Sequence, residues 1–576
     1  MADLLPGGLA VFFGLLPLLV LAGVVVLVVR LASGTDETTG ESAGVAVRRI
    51  FQYLVLLVTL VLSCLGLTGV FTEALTMSDQ VTQDTSAIAR SISFLIVGVP
   101  AFIALALYTR RKLRDDPAEV RSAGWAIYLT LVLIGSLVAT VALLITLFGD
   151  LFVGDGIDAV VLVNAVVWGA VWGIHWWIAS IPRYAPDLWF EHILGSFVGL
   201  SVMLGAGAVT AAGSFVVIYD AIFDVVSVGP NAEQIVEPLV AFLVGGLVWV
   251  WYWLRTTVHE ERTVLWVAYV LFAGVLSGVV MVAAAGGTAV FNVLEWILAD
   301  PYGVAATHFK VIPAALGVVV VGAATWVYHR SVLDRGPARE RSTVDRLYEY
   351  LLAFVGLGVT AAGIATLITY SVWAIVGTEI TGTDRGAIAV ALTLLIVGVP
   401  LWGVYWWRAQ RERKRQGIDE AQATTRRLYV FVVLGISALV ALVSLLVLVF
   451  AFVEAILDGS VGAEMFDAMA VPFALLLTAG AVAGYHFTVA REDRSTTPKP
   501  AKAAVRDVIL ITADGAELRS AIVDADMRVR VFPAAGPVVE VGSVEEAIAA
   551  LNSETHRHVV VVDHGEDGGF DVIPLR

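Results

Sequence analysis

The sequence predicts an all-α polytopic membrane protein made of tandem parallel two-helix hairpin repeats, followed by a small cytoplasmic α/β domain. The first observation is composition: apolar and aromatic residues make up 59% of the 576 residues, charged residues make up 15%, and the mean hydropathy is +0.86. The second is a succession of apolar runs of about 20 or more residues, the length that spans a bilayer. The third is the concentration of basic residues in alternate loops. Such a composition excludes a water-soluble globular protein.

Net charge and cysteine content narrow the possible partners and sites. The chain carries 36 basic and 51 acidic residues, a formal net charge of −15. This balance excludes a broadly basic nucleic-acid-binding protein, so no nucleic acid partner is expected. The single cysteine, Cys64, lies within an apolar run, which excludes an intrachain disulfide and a thiolate metal site.

Residues 1–47 are predicted to form an N-terminal membrane anchor helix and a polar linker. The apolar run at residues 9–29 has no basic residue before it, whereas a secretory signal peptide has a basic segment there. Arg30, Arg48 and Arg49 follow the run. This order predicts an uncleaved anchor whose N-terminus lies outside the cell.

Residues 48–490 are predicted to form six tandem transmembrane hairpins, so that with the anchor the chain spans the membrane thirteen times. The first helix of each hairpin is longer than a bilayer requires, which predicts tilting, a break or a projection into water. Within the longest run, a break is expected at Gly286–Thr288. The first helices are expected near 49–76, 121–152, 188–223, 262–298, 345–377 and 426–457, and the second near 89–109, 157–180, 236–255, 304–329, 386–408 and 467–489.

Lysine and arginine are distributed unevenly between the two sets of loops. We count 23 in the loops on one side and 3 in the loops on the other, namely Arg90, Lys310 and Arg385. Loops rich in lysine and arginine stay in the cytoplasm. The bias therefore predicts a multi-pass protein of the plasma (inner) membrane with its N-terminus outside and its C-terminus in the cytoplasm.

The hairpins repeat one another in sequence. The motif Leu-Ile-Val-Gly-Val-Pro occurs at residues 95–100 and 395–400, and a Trp-Gly-x-x-Trp-Trp motif occurs at 172–177 and 402–407. Basic-Leu-Tyr opens the fifth hairpin at 346–348 and the sixth at 427–429. Because every hairpin begins on the same side, the repeats are parallel and not inverted.

These motifs resemble a bacterial multi-pass membrane family built from a repeated two-helix domain of unknown function. The resemblance covers residues 46 to 490 and is clearest in the first, second, fifth and sixth hairpins. The third and fourth hairpins depart from it. The resemblance implies a membrane location and hairpin repeats, and it implies no activity, ligand or catalytic residue.

Acidic residues recur near the outer ends of the first helices. A carboxylate at the C-terminus of a helix opposes the helix dipole, so the recurrence is not explained by helix propensity. One interpretation is a carboxylate cluster that binds cations or a partner outside the cell. The other is common descent of the repeats, with hydrated acids, and the charge pattern favours it. The residues are Glu73, Asp150, Asp220, Glu295 and Glu454, with Ser371 in the fifth hairpin.

A second recurrent position lies in the second helices. A ring of imidazoles and phenols there could relay protons or ligate haem. An aromatic belt at the membrane interface is the alternative, and it is favoured because His192 is the only histidine that the first helices supply. Alignment on the Trp-Gly motif places His175, Tyr252, His329, Tyr405 and His486 at this position, with Leu105 in the first hairpin.

Residues 491–504 are predicted to be a charged linker, and 505–576 a compact α/β domain. Apolar strands are expected near 508–511, 528–532, 559–562 and 570–573, with helices beginning at Asp514 and Ser543. The spacing of His556, His558, Asp563 and His564 is not that of a metal site, and no glycine-rich phosphate loop is present. The expected role of this domain is protein interaction.

The central parts of the predicted spans argue against a coupled transporter. Apart from Asn164 and Asn292 they carry essentially no strong polar or ionisable side chain. We therefore expect a non-enzymatic membrane scaffold or sensor-like assembly, with the lipid bilayer and a cytoplasmic protein as partners. No catalytic, cofactor-binding or metal-binding residue is predicted, and no cofactor. The alternative is a channel or uncoupled transporter with an acidic extracytoplasmic mouth.

Overall fold

The computed structural model describes the helical body and the C-terminal domain. The predicted anchor at 9–29 lies outside the described residues. The chain divides into two compact units, Met1–Trp407 with Ala438–Gly480, and Arg408–Ser437 with Ala481–Arg576. The described residues are 43–76, 85–154, 156–223, 232–299, 303–334, 343–376, 384–417, 420–421, 423–496, 507–512, 516–533, 543–554, 556–563 and 570–575.

Long apolar helices make up the body of the protein. Within the described residues, twelve helical segments are long and apolar enough to cross a membrane, so the chain is a multi-pass membrane protein. They match the six predicted hairpins. Two short helices, α3 Pro117–Val120 and α10 Ala305–His308, lie in connecting segments. The first three hairpins consist of α1 Ala43–Thr76 and α2 Thr85–Asp115, α4 Ala123–Val153 and α5 Ala159–Ser180, and α6 Trp189–Phe223 and α7 Ala232–Trp249. The last three consist of α8 Val264–Ala268 continuing as α9 Ser277–Leu298 with α11 Val311–Leu333, α12 Thr343–Val376 with α13 Asp384–Gln416, and α14 Thr424–Leu457 with α15 Ala463–Thr496.

The expected break at Gly286–Thr288 is wrong. Helix α9 runs without interruption through these residues. A Cβ atom at Gly287 would lie 3.6 Å from Thr393 on α13, an ordinary van der Waals distance, and one at Gly286 would meet open space. The irregularity of this span lies earlier, in a π-helical segment at Tyr269–Leu276.

The glycine of the Leu-Ile-Val-Gly-Val-Pro motif lies where the two helices of a hairpin touch. A Cβ atom at Gly98 of α2 would be 3.0 Å from the backbone nitrogen of Ser63 on α1. At Gly398 of α13 it would be 2.6 Å from the backbone nitrogen of Thr360 on α12. The motif therefore recurs because both hairpins need the same close helix contact.

Packing joins consecutive hairpins to one another, including the second hairpin to the third, where Ile134 of α4 is buried together with Val198 of α6. In the first two hairpins one buried cluster combines Tyr53 and Leu60 of α1 with Trp125 and Leu133 of α4. Helix α1 also packs against α5, and α6 packs against α11 in the third and fourth hairpins. We call α1, α2, α4 and α5 the first module, and α6, α7, α8–α9 and α11 the second. Sequence correspondence makes α12–α15 the third.

The C-terminal domain is a four-stranded sheet with two helices, as predicted. Strand β1 pairs in parallel with β2 and β3, and β3 pairs antiparallel with β4, which gives the order β2-β1-β3-β4. Ser543 caps the second helix, whereas Asp514 lies outside the described residues. The elements are β1 Asp507–Thr512, α16 Ala516–Asp524, β2 Arg528–Pro533, α17 Val544–Ser553, β3 His558–Asp563 and β4 Phe570–Pro574.

Both helices of this domain cover one face of the sheet. Val508 of β1 and Val559 of β3 are buried in a cluster with Leu518 and Ile522 of α16 and Leu551 of α17. Since side chains alternate along a strand, the neighbouring residues of β1 and β3 lie on the opposite face. The domain thus has its own apolar core.

Candidate functional site

A buried glutamate connects the two hairpins of the first module at the arginine-rich end, the end formed by the connecting segments with most basic residues. Glu119 belongs to α3, whose start is capped by the Asp116 side chain. Glu119 is fully buried, and its Oε2 atom lies 2.9 Å from Nε of Arg49. Its Oε1 atom accepts a hydrogen bond of 3.0 Å from the Tyr53 hydroxyl. Both carboxylate oxygens are therefore held by α1.

A glutamate stands at the same place in the second module. Glu260 lies nine residues before Tyr269, just as Glu119 lies nine residues before Tyr128. Oε1 of Glu260 is 2.5 Å from Nδ1 of His192 on α6, the first helix of its module. Histidine thus replaces arginine as the partner of the connecting glutamate.

The residues after these two glutamates follow one pattern. Glu-x-Arg-Ser/Thr-x-x-Trp-x-x-Tyr occurs at 119–128 and at 260–269. Ser122 and Thr263 each cap the helix that follows, by accepting a hydrogen bond from the backbone N–H of the tryptophan three residues later. A role for these glutamates was not predicted from the sequence. The signal that identifies them is the constant spacing of nine residues between the glutamate and the tyrosine.

In the third module Glu420 stands nine residues before Tyr429 and is fully buried. An arginine network lies at the same end of this module. Nε of Arg426 is 2.6 Å from Oδ2 of Asp493, and Nε of Arg413 is 2.9 Å from Oδ1 of the same carboxylate. One aspartate therefore ties the ends of α13, α14 and α15 together.

A tyrosine and a histidine face each other in the second hairpin of every module. In each histidine, Nδ1 lies 2.8–2.9 Å from the carbonyl oxygen four residues earlier. Because a carbonyl only accepts, Nδ1 carries the proton and Nε2 presents a lone pair. The pairs are Tyr128 with His175, Tyr269 with His329, and Tyr429 with His486.

The three imidazoles are buried, and none is more than 6% exposed. The favoured interpretation of these positions as an interfacial aromatic belt is therefore wrong for the histidines, because they face a tyrosine inside the helix packing. Trp177 and Trp407 are each 61% exposed and fit such a belt. Composition alone does not distinguish the two environments, since both combine aromatic rings with histidine.

The second module differs from the first in the hydrogen bonds that its tyrosine makes. Nε2 of His175 lies 3.0 Å from the Tyr128 hydroxyl and accepts a hydrogen bond from it. The Tyr269 hydroxyl instead accepts a hydrogen bond from Nε1 of Trp249 and donates one to the backbone carbonyl of Ser196. Among the described residues, Nε2 of His329 has no hydrogen-bond partner.

Aromatic rings and two π-helical segments surround His329. Its ring centroid lies 5.0 Å from that of Tyr328 and 5.9 Å from that of Trp253. Gly274 makes room for it, because a Cβ atom there would overlap the imidazole. The π-helical segments are Val250–Leu254 and Tyr269–Leu276, and such segments are frequent at functional sites.

The first hairpins carry other residues at the histidine position, namely Leu105, Tyr252 and Tyr405. The hydroxyl oxygens of Tyr405 and Tyr348 lie 2.8 Å apart. The Tyr252 hydroxyl accepts a hydrogen bond of 3.2 Å from Nε1 of Trp172. Histidine at this position therefore marks the second hairpin of a module.

The five recurrent acids lie at the opposite end of the helices. Oδ2 of Asp220 is 2.8 Å from Nζ of Lys310, a salt bridge that we did not expect from the sequence. Glu73, Asp150 and Glu295 are partly buried, and Glu454 is exposed. In the described part of the chain, no group of three or more histidine, cysteine or acidic residues is placed to hold a metal ion.

Two histidines of the C-terminal domain lie beside carboxylates near its surface. Nδ1 of His556 lies 2.7 Å from Glu554, and Nδ1 of His558 lies 3.1 Å from Asp507. His564 lies outside the described residues.

The fold and these contacts define a multi-pass membrane protein of tandem four-helix modules. Two of the modules match a known family: residues 49–174 and 346–481 each match the family model described as Domain of unknown function (DUF5671). The predicted resemblance to a repeated membrane domain of unknown function is confirmed. Each match extends over four long helices, and the second module lies between the two matches. No curated protein and no solved structure matches the chain.

Proposed function

We propose that this protein is a non-enzymatic scaffold or sensor-like assembly of a bacterial plasma membrane, whose C-terminal domain binds a cytoplasmic protein. The arginine-rich end faces the cytoplasm, since basic loops are retained there. The N-terminus is then outside and the C-terminal domain inside. Buried contacts between hairpins, such as Arg49 with Glu119, support a stable body for such a scaffold.

The observation that supports this proposal is the face of the C-terminal sheet that the two helices leave uncovered, which we call the open face. Strand register aligns Ile509 with Arg530 on β2 and, through Val560, with Ile573 on β4. These residues lie on the face opposite to the two helices. Among the described residues of this face, Phe532 is 53% and Ile573 49% exposed.

The chemistry of this face indicates the kind of partner. Exposed Arg528 and Arg530 border the apolar side chains on β2. Apolar anchors with a basic rim complement a partner that presents apolar side chains beside carboxylates. We infer that an acidic, partly apolar protein segment binds across β2, β1 and β3.

Site-specific photocrosslinking in intact cells tests the proposal. A photoreactive phenylalanine analogue in place of Phe532 is expected to capture one protein reproducibly, and Arg530→Glu in the same chain to abolish that adduct. The matched control carries the analogue in place of Val523, which is equally exposed at 53% but lies on α16, the helix-covered side. Absence of an adduct at Phe532, or an equal adduct at Val523, would contradict the docking proposal.

A further inference from the structure

A crevice of about 350 Å³ opens between α6 and α11, at the end opposite to the arginine-rich end. Both helices belong to candidate membrane spans, and the wall residues Ile218 and Leu316 are 58% and 46% exposed, so the crevice opens toward the lipid side of the helices. Its size falls within the range of about 300–1,000 Å³ that is typical of small-molecule sites. Its walls are almost wholly apolar and include Phe215, Ile218 and Tyr219 of α6 and Phe309, Ile312 and Leu316 at and before the start of α11.

A salt bridge lies beside the crevice. Nζ of Lys310 lies 2.8 Å from Oδ2 of Asp220, and each side chain is about one-fifth exposed. Asp220 directly follows Tyr219, and Lys310 directly follows Phe309, so both charges adjoin the apolar walls. The Tyr219 hydroxyl donates a hydrogen bond to the carbonyl of Ala306 and thereby fixes the turn that leads to α11.

We propose that this crevice binds one acyl chain of a phospholipid whose headgroup carries both a phosphate and a primary ammonium group, as in phosphatidylethanolamine. The phosphate contacts Lys310, the ammonium group contacts Asp220, and the chain lies between α6 and α11. The site is independent of the open sheet face and of any protein partner.

Charge complementarity favours this headgroup over other lipids. A lipid that carries only a negative charge is attracted by Lys310 but repelled by Asp220, whereas a zwitterionic headgroup satisfies both. Phosphatidylcholine lacks N–H donors for the Asp220 carboxylate. The pair also lies at the ends of two spans, Trp189–Phe223 and Ala305–Leu333, which is the depth of lipid headgroups.

Photolabelling of the full-length protein in phosphatidylcholine nanodiscs tests the site. The probes are phosphatidylethanolamine and phosphatidylglycerol, each with the same photoreactive acyl chain. We expect the phosphatidylethanolamine probe to label residues 215–223 and 305–316 about fivefold more than the phosphatidylglycerol probe. This ratio corresponds to the free energy of about one charge contact near a membrane surface. Equal labelling by the two probes would overturn the proposal.

Matched substitutions separate a specific site from ordinary boundary lipid. Ile218→Trp fills the crevice and is expected to remove the preferential labelling. Val327→Trp changes a residue of α11 that is 66% exposed nearer the other end of the helix, and is expected to leave it unchanged. Asp220→Asn is expected to shift the preference toward phosphatidylglycerol. Labelling that is insensitive to Ile218→Trp would contradict the site, and competition by unlabelled phosphatidylethanolamine tests it without any substitution.

Discussion

The connecting glutamates of the first and second modules occupy the same position but are held differently. Glu119 is fully buried against Arg49, a residue that stays charged in proteins. Glu260 pairs with His192, and both side chains of that pair are about 30% exposed. The position of the glutamate is thus kept while its partner and its burial change.

The tyrosine-histidine pairs differ in the same way. His175 accepts a hydrogen bond from Tyr128, whereas Tyr269 is bonded to Trp249 and leaves His329 without a partner among the described residues. The second module also has π-helical segments and lies outside the matched family segments. The comparison teaches that helix contacts preserve the module while the polar contacts at its arginine-rich end vary.

The largest expected effect is the loss of the buried charge in the first module. Glu119→Gln leaves Arg49 buried without its main counter-ion, and we expect a loss of about 3 kcal/mol in the free energy of unfolding. The value is at the lower end for such a change because Asp116 remains 3.6 Å from Arg49. Unfolding of the purified protein by dodecyl sulfate measures it. Glu260→Gln is the matched change, and an equal loss there would break the distinction between the two modules.

Crowding the space beside His329 is expected to have the next largest effect. Gly274→Ala places a methyl group against the imidazole, which should cost about 1–3 kcal/mol through overpacking. Gly286→Ala lies in the same span but meets open space, so the better helix propensity of alanine should stabilise the protein by up to about 1 kcal/mol. Unfolding midpoints that move in the same direction for both variants would contradict the packing described for Gly274.

A smaller effect is expected from the tyrosine-histidine pair of the first module. Tyr128→Phe removes the donor to His175 and leaves a buried lone pair, which should cost about 1 kcal/mol. The control Tyr108→Phe changes a tyrosine that is 44% exposed and should lie within about 0.5 kcal/mol of the unchanged protein. Equal unfolding midpoints for the two variants would show that the Tyr128 hydrogen bond contributes nothing.

The smallest expected effect concerns the recurrent acids at the opposite end. The scaffold proposal predicts no cation flux in proteoliposomes and no change when all five are neutralised, whereas a channel with an acidic mouth would lose conductance. A flux that falls on neutralisation would favour the channel. The substitutions are Glu73→Gln, Asp150→Asn, Asp220→Asn, Glu295→Gln and Glu454→Gln.

Hydropathy was sufficient to predict the twelve spans among the described residues, their pairing as hairpins and the strands of the C-terminal sheet. A run of apolar residues fixes a membrane helix almost regardless of its neighbours, because lipid leaves the backbone no other way to satisfy its hydrogen bonds. Glycine is different, since Gly286 and Gly287 could lie in a break or in a continuous helix, and only the structure shows that α9 continues through them.

The polar contacts between hairpins were harder to predict. Glu119 and Arg49 are 70 residues apart, and in the sequence each looks like one more charge in a basic loop. The burial of His175 and His329 depends on the facing helix, which composition does not specify. The contacts that join the hairpins therefore became known only from the structure.

A double-mutant cycle between Arg49 and Glu119 tests most directly whether this buried pair joins two hairpins into one module. The free energy of unfolding is measured for the unchanged protein, Arg49→Met, Glu119→Gln and the double variant. We predict a coupling energy of about 2 kcal/mol, within the range of about 0.5–3 kcal/mol for residues in contact. Additive losses, with a coupling energy below about 0.5 kcal/mol, would contradict the four-helix module.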